Sequence, residues 1–168
     1  YRAPQCLLAR PAADALRSAQ TELEAFGLSL LVYDCFRPQR AVDDFVAWAK
    51  DLKDQRMKKE FYPRVDKTRL FAEGYIAAKS GHSRGGTVDL TLADARSGKP
   101  LDMGTPYDLF DPLSHTAEPA LSFEQRRHRL LLRSVMERHG FKNLPEEWWH
   151  FTLHDEPFPD RVFDFDIE

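Results

Sequence analysis

The alternation of apolar and polar positions divides the chain into a small set of elements. Between Pro11 and Phe26, residues Ala12, Leu16, Ala19, Leu23 and Phe26 recur at steps of four and three, which draws one stripe along a helix. Pro11 suits the first turn of that helix and Gly27 the residue just past its end. Leu28–Asp34 has period two instead, so Leu28, Leu30, Val32 and Asp34 share one face of a strand. After a turn at Cys35–Pro38, Val42, Phe45, Ala49 and Leu52 form the buried stripe of a second helix. Lys53–Lys67 is charged, contains Pro63 and reads as a surface excursion, a rim or lid. A short helix is expected over Arg69–Ala78.

A Gly-rich loop, Ser80-Gly-His-Ser-Arg-Gly-Gly86, then feeds a strand at Thr87–Leu92. Leu101–Ser122 is irregular, with three prolines and several turn formers. Ser122 with Gln125 three residues later is a capping box, opening a helix that runs to His139 and stops at Gly140. A last strand is expected at Trp148–Leu153, and the Pro-rich tail after Asp155 is placed on the surface. Strands separated by helices and loops of unequal length favour an α+β fold, a single domain over residues 1–168, over a regular βαβ repeat.

Composition narrows the function. The chain has 168 residues, 42% apolar and 30% charged, with a net charge of -3. That balance argues against a general nucleic-acid binder. No apolar run approaches the roughly 20 residues that span a bilayer. Two cysteines exclude a disulfide-stapled miniprotein, and Cys6 and Cys35 are expected as free buried thiols rather than a bridge. The chain starts at Tyr1 rather than Met, so a preceding segment is expected, and the compartment depends on it.

Among six histidines, His128 and His139 fall on a helix among arginines and read as solvated; His154 pairs with Asp155 at a strand end. His82 and His150 stand apart. His82 lies in the Gly-rich loop, where Gly81, Gly85 and Gly86 permit a sharp return toward Asp89. Asp89, between Val88 and Leu90, is costly to bury alone. Either a cation offsets that cost, or loop N–H groups satisfy Asp89 and His82 is incidental. Glu146-Glu147-Trp-Trp-His150 sets carboxylates and an imidazole among rings that exclude water, where pKa values shift. A regular strand would point Glu147 and His150 to opposite faces, unless Glu147 lies in the bend after Pro145. His82, Asp89 and His150 form a plausible three-ligand catalytic zinc set, Glu147 a general base, and Arg37, in the turn stiffened by Pro38, a partner for developing negative charge.

Tyr33-Asp-Cys-Phe-Arg-Pro38, Ser80-Gly-His-Ser-Arg-Gly-Gly-Thr-Val-Asp89 and Glu147-Trp-Trp-His150-Phe together resemble the D-alanyl-D-alanine dipeptidases, within the D,D-carboxypeptidase-like zinc metallopeptidases. Met103-Gly104 followed by Asp108, and Asp155-Glu-Pro-Phe-Pro with Phe163-Asp-Phe, extend the likeness over nearly the whole chain. The resemblance implies a hedgehog/D,D-peptidase-like fold with a mainly antiparallel central sheet flanked by helices, in a bacterial enzyme of cytoplasm or periplasm. It implies one zinc ion per chain on His82, Asp89 and His150, Glu147 as base, and Arg37 at the tetrahedral intermediate. It places Asp108 at the amino terminus of a small D,D-dipeptide, and Ser80 and Tyr1 near its carboxylate. The family has a further N-terminal segment that helps wall the cavity. Two rivals remain: a D,D- or L,D-carboxypeptidase acting on peptidoglycan stems, and a non-catalytic zinc-stabilised binding module.

Overall fold

A computed structural model of the chain describes residue 3 and residues 5–168. Tyr1, expected near the substrate carboxylate, lies outside the described residues. Four helices, α1 (Arg10–Glu24), α2 (Gln39–Lys50), α3 (Lys58–Phe61) and α4 (Phe123–Arg138), accompany four strands, β1 (Leu28–Asp34), β2 (Thr87–Asp94), β3 (Phe141–Asn143) and β4 (His150–Leu153). The strands form one antiparallel sheet in the order β1-β2-β4-β3.

The predicted stripes pack as expected up to the helix ends. Ala12, Ala19 and Leu23 of α1 are fully buried, but α1 stops at Glu24 and Phe26 stays 72% exposed. In α2, Val42 and Ala49 are buried, while Leu52 lies past the last turn and is half exposed. Ser122 and Gln125 form the capping box reciprocally, and Gly140 ends α4 with a left-handed φ of 84°.

Every residue of β2 but its last is buried, so this central strand is covered on both faces. Val88, Leu90 and Leu92 join the main core with Leu23, Leu132, Met136 and Phe151. Each such side chain contributes about 1.5–3 kcal/mol by leaving water. The alternate residues Thr87, Asp89 and Thr91 are polar and equally buried, so the opposite face of the same strand carries the chemistry.

Four expectations are corrected. Lys53–Lys67 is not a surface excursion throughout: Tyr62 and Val65 are buried in a second apolar cluster with Leu70, Tyr75, Ile76 and Phe110. Lys67 belongs to this interior because its Nζ donates to the Asp51 and Asp54 carbonyls, each at 2.7 Å, and lies 4.0 Å over the Trp48 ring. Arg69–Ala78 forms turns in place of a helix. The last strand starts at His150, two residues late, because Trp148 and Trp149 sit in a turn whose Trp148 N–H donates to Ser114 O. Cys6 and Cys35 are joined in a disulfide rather than free. Residues 5–9 run alongside the end of β1, where Phe36 N–H donates to Leu7 O, and this brings the two Cα atoms to 5.2 Å.

The surface assignments fare unevenly. His154 pairs with Asp155 as expected, at 2.8 Å. His128 and His139, expected as solvated, are both engaged, His128 with Asp102 O and His139 with Glu22 across α1 and α4. The tail is mostly exposed, yet Ile167 is buried, Phe165 stacks on Phe36, and Asp164 and Asp166 bind Arg40.

Candidate metal centre and active site

Sheet register builds the site. Asp34 of β1 lies opposite Asp89 of β2, and Asp89 lies opposite His150 of β4, which gives one row across three strands. Cross-strand neighbours project to the same side of the sheet. A register shift between Val32 and Asp34 brings Asp34 into that row.

His82 arrives from the loop ahead of β2. Gly81–Arg84 is a short 3-10 turn, capped where the Ser80 hydroxyl accepts from the His82 N–H at 3.2 Å. Gly85 ends the turn in the left-handed region at φ 75°, which sends the chain straight into β2. At Gly81 a Cβ would run into the Thr87 side chain. His82 Nδ1 lies 2.6 Å from the Cys35 carbonyl. A carbonyl only accepts, so Nδ1 carries the proton and Nε2 keeps its lone pair.

The objection to pairing Glu147 with His150 disappears because the two are separated by a turn rather than a regular strand. Asn143 Nδ2 donates to both the Glu147 and His150 carbonyls and holds that turn. Glu147 Oε2 lies 3.5 Å from His150 Nδ1. Trp148 Nε1 donates to Thr105 Oγ1 at 2.8 Å, anchoring the turn from behind.

One ligand atom each from His82, Asp89 and His150 falls within 4.8 Å of the others. His150 Nδ1 is 3.0 Å from Asp89 Oδ1, and His82 Nε2 is 3.3 Å from Asp89 Oδ2. Ligands about 2.0–2.2 Å from a tetrahedral zinc lie about 3.3 Å apart, so the spacing fits. His82 Nε2 and Asp89 Oδ1 are also buried without a hydrogen-bond partner. Such orphaned atoms are costly, and a divalent cation satisfies both at once. The residues present therefore suit a zinc ion.

Electrostatics follow the burial. Asp89 resists protonation: burial raises its pKa, but the two imidazoles overcome this and hold it far below the carboxylate range. Burial lowers His82, and the Asp89 carboxylate more than restores it. Burial pushes Glu147 up to about 8; His150 opposes the rise, and Asp89 and Asp108 add to it. Burial, then Asp89, pushes Asp108 up to about 7. A dication beside these groups acts in the opposite direction on both carboxyls.

The remaining residues line a cavity of about 730 Å³. Arg37, Ser80 and Asp108 all line it, together with Phe45, Trp48 and Tyr75. Asp108 occupies the left-handed region at φ 59°, which an Asp tolerates better than most residues. Two neighbours were not singled out from the sequence. Asp34 binds the Arg37 guanidinium through Nε at 3.0 Å and Nη2 at 2.6 Å, and Tyr107 donates its hydroxyl to Asp89 Oδ2 at 3.1 Å. The i,i+3 spacing of Asp34 and Arg37 was the available signal for the first.

The fold is that of the D,D-peptidases. A zinc-complexed mutant of the vancomycin-resistance D,D-pentapeptidase VanY superposes with a TM-score of 0.52 at 13% identity, covering 88% of this chain and 72% of that one. The model of the peptidase M15 family, described as D-Ala-D-Ala dipeptidase, matches residues 1–168. A D-alanyl-D-alanine dipeptidase of Streptomyces coelicolor is 46% identical over 153 residues, 91% of this chain and 76% of the relative. Those of Enterococcus faecalis and Enterococcus faecium are 38% and 40% identical, over 99% and 93% of this chain and 83% and 77% of their own lengths. The chain belongs to the peptidase M15 D-Ala-D-Ala dipeptidase family and is an enzyme that hydrolyses peptides. No helix among the described residues is long and apolar enough to cross a membrane.

Proposed function

We propose that the chain hydrolyses the D-alanyl-D-alanine dipeptide to two D-alanines, with one zinc ion held by His82, Asp89 and His150. The observation carrying this reading is the pair of orphaned buried atoms, His82 Nε2 and Asp89 Oδ1, within the His82, Asp89 and His150 cluster that Glu147 adjoins at His150. Zinc in a three-ligand setting of this kind supplies Lewis acidity toward a carbonyl and lowers the pKa of water toward about 7.

The protein's own groups do the rest. Glu147, held by the turn beside His150, accepts the proton of the attacking water and returns it to the leaving amine. Arg37, oriented by Asp34, stabilises negative charge on the carbonyl oxygen. Asp108 takes the free amino terminus, and Ser80 and Tyr1 serve the carboxylate. The Trp148–Trp149 turn keeps water from the buried side of Glu147.

The test pairs metal content with turnover. Glu147→Ala is expected to bind zinc as the wild type does while losing roughly 10²- to 10⁴-fold in kcat for D-Ala-D-Ala. Wild-type kcat in the zinc-loaded variant would remove Glu147 as the base. A second reading draws on the cavity, whose lining takes in Ala41, Val42, Asp44, Phe45 and Trp48 of α2. That extent suits a D,D-carboxypeptidase taking longer stems, and faster release of D-alanine from a stem peptide than from the dipeptide would favour it.

A further inference from the structure

Tyr107 enters the site from the irregular segment before α4, one residue ahead of Asp108. Its ring stacks on Tyr33 with centroids 4.5 Å apart and meets Trp149 edge-on at 5.6 Å. One face contact and one edge contact flank the ring, and the hydroxyl ends 3.1 Å from Asp89 Oδ2. A phenol donates and a carboxylate accepts, so the direction of this bond is set.

Asp89 needs such a bond because its two oxygens have different surroundings. Oδ1 is the buried oxygen without a hydrogen-bond partner. Oδ2 lies 3.3 Å from His82 Nε2 and 4.0 Å from Arg37 Nη2. The last torsion of an Asp side chain is soft. Left unpinned, the carboxylate can rotate toward the guanidinium and tighten its 4.0 Å ion pair with Arg37, at the expense of its alignment with the imidazoles.

We propose that Tyr107 is a positioning residue for the metal centre: its hydroxyl pins Asp89 Oδ2, holds the carboxylate back from a closer ion pair with Arg37, and keeps Oδ2 beside His82 and Oδ1 beside His150. This rests on the reading of that trio as zinc ligands. Groups that orient ligands from behind commonly carry a tenfold to hundredfold share of metal affinity.

The test measures zinc affinity by competition with a chromophoric chelator, and the visible spectrum after cobalt substitution, in the whole chain. Tyr107→Phe keeps both ring contacts and removes only the hydroxyl. It is expected to bind zinc about 10- to 100-fold more weakly and to alter the cobalt bands, with the melting temperature of the metal-free protein unchanged. Tyr33→Leu disturbs the stack and spares the hydroxyl, and is expected to keep the wild-type zinc affinity. Affinity and cobalt bands unchanged in Tyr107→Phe would overturn the proposal, as would an equal loss in Tyr33→Leu, which assigns the effect to ring packing. A wild-type protein that takes up no zinc would instead remove the underlying metal reading.

Discussion

The carbonyl of Cys35 receives the Nδ1–H of His82 at 2.6 Å, so the residue that ends in a disulfide also sets the tautomer of a candidate metal ligand. The group that His82 uses belongs to the main chain, and the sulfur is not involved. Stability and metal binding are therefore expected to separate. The bridge to Cys6 spans 29 residues, and closing a loop of that size in the unfolded chain corresponds to about 3–4 kcal/mol. The double variant Cys6→Ser with Cys35→Ser is expected to lose about that much unfolding free energy in urea, yet to titrate with zinc like the wild type. A parallel collapse of zinc affinity would show that the bridge, rather than the carbonyl, holds His82.

Arg37 is held by a fork. Its Nε and Nη2 both meet Asp34 Oδ2, and burial alone would lower its pKa, but Asp34 more than offsets this and fixes the charge. Removing one oxyanion partner costs about 2.7–4 kcal/mol, or roughly 10²- to 10³-fold in kcat. Arg37→Ala is expected to fall in that range with little change in KM. Arg37→Lys should not rescue it, since an ammonium lacks the fork that Asp34 grips. Steady-state kinetics on the dipeptide decides this, and full activity in Arg37→Lys would contradict the assigned geometry.

Much of this architecture was legible in the chain because its signals are local. Helix α1 follows from its stripe and Pro11, α4 from the Ser122 capping box and Gly140, β1 from alternation, and most of β2 from the Gly-rich loop that feeds it. The three-residue strand β3 is too short to show any period. The row Asp34, Asp89, His150 depends on register between strands far apart in sequence, which no local pattern encodes. The disulfide escaped for the same reason, since it needs residues 5–9 laid along β1. Lys67 misled by its charge: main-chain carbonyls and the Trp48 face make its burial tolerable. His82, Asp89, His150 and Glu147 do lie together, drawn there by the Gly85 turn and the turn ahead of β4.

Asp108 tests the dipeptide reading most directly. A carboxylate that meets a free ammonium contributes about 1.5–3 kcal/mol, or roughly 10- to 150-fold. Asp108→Asn is expected to lower kcat/KM for free D-Ala-D-Ala by that factor and to leave the N-acetylated dipeptide, which has no charge to offer, almost unaffected. Discrimination between the two should therefore shrink. Undiminished discrimination in Asp108→Asn would place the recognition of the amine elsewhere in the cavity.

Acid sensitivity of the fold should trace to Asp111, a buried carboxylate ahead of the Pro112–Ser114 turn. It binds Arg64 through both oxygens and accepts the Leu113 N–H at 2.9 Å. The Arg64 hydrogen bonds come first among the influences that hold its pKa below the usual 3.8, against the opposing effect of burial. A carboxyl depressed in the folded state contributes stability that is fully present above its unfolded value and drains away as pH falls through the folded one. Wild-type and Asp111→Asn proteins should therefore differ most in unfolding free energy at neutral pH. The gap should narrow once pH drops below 3.8. Urea titrations of both proteins at descending pH measure that gap, and a difference independent of pH would assign the loss to packing instead of to the Arg64 pair.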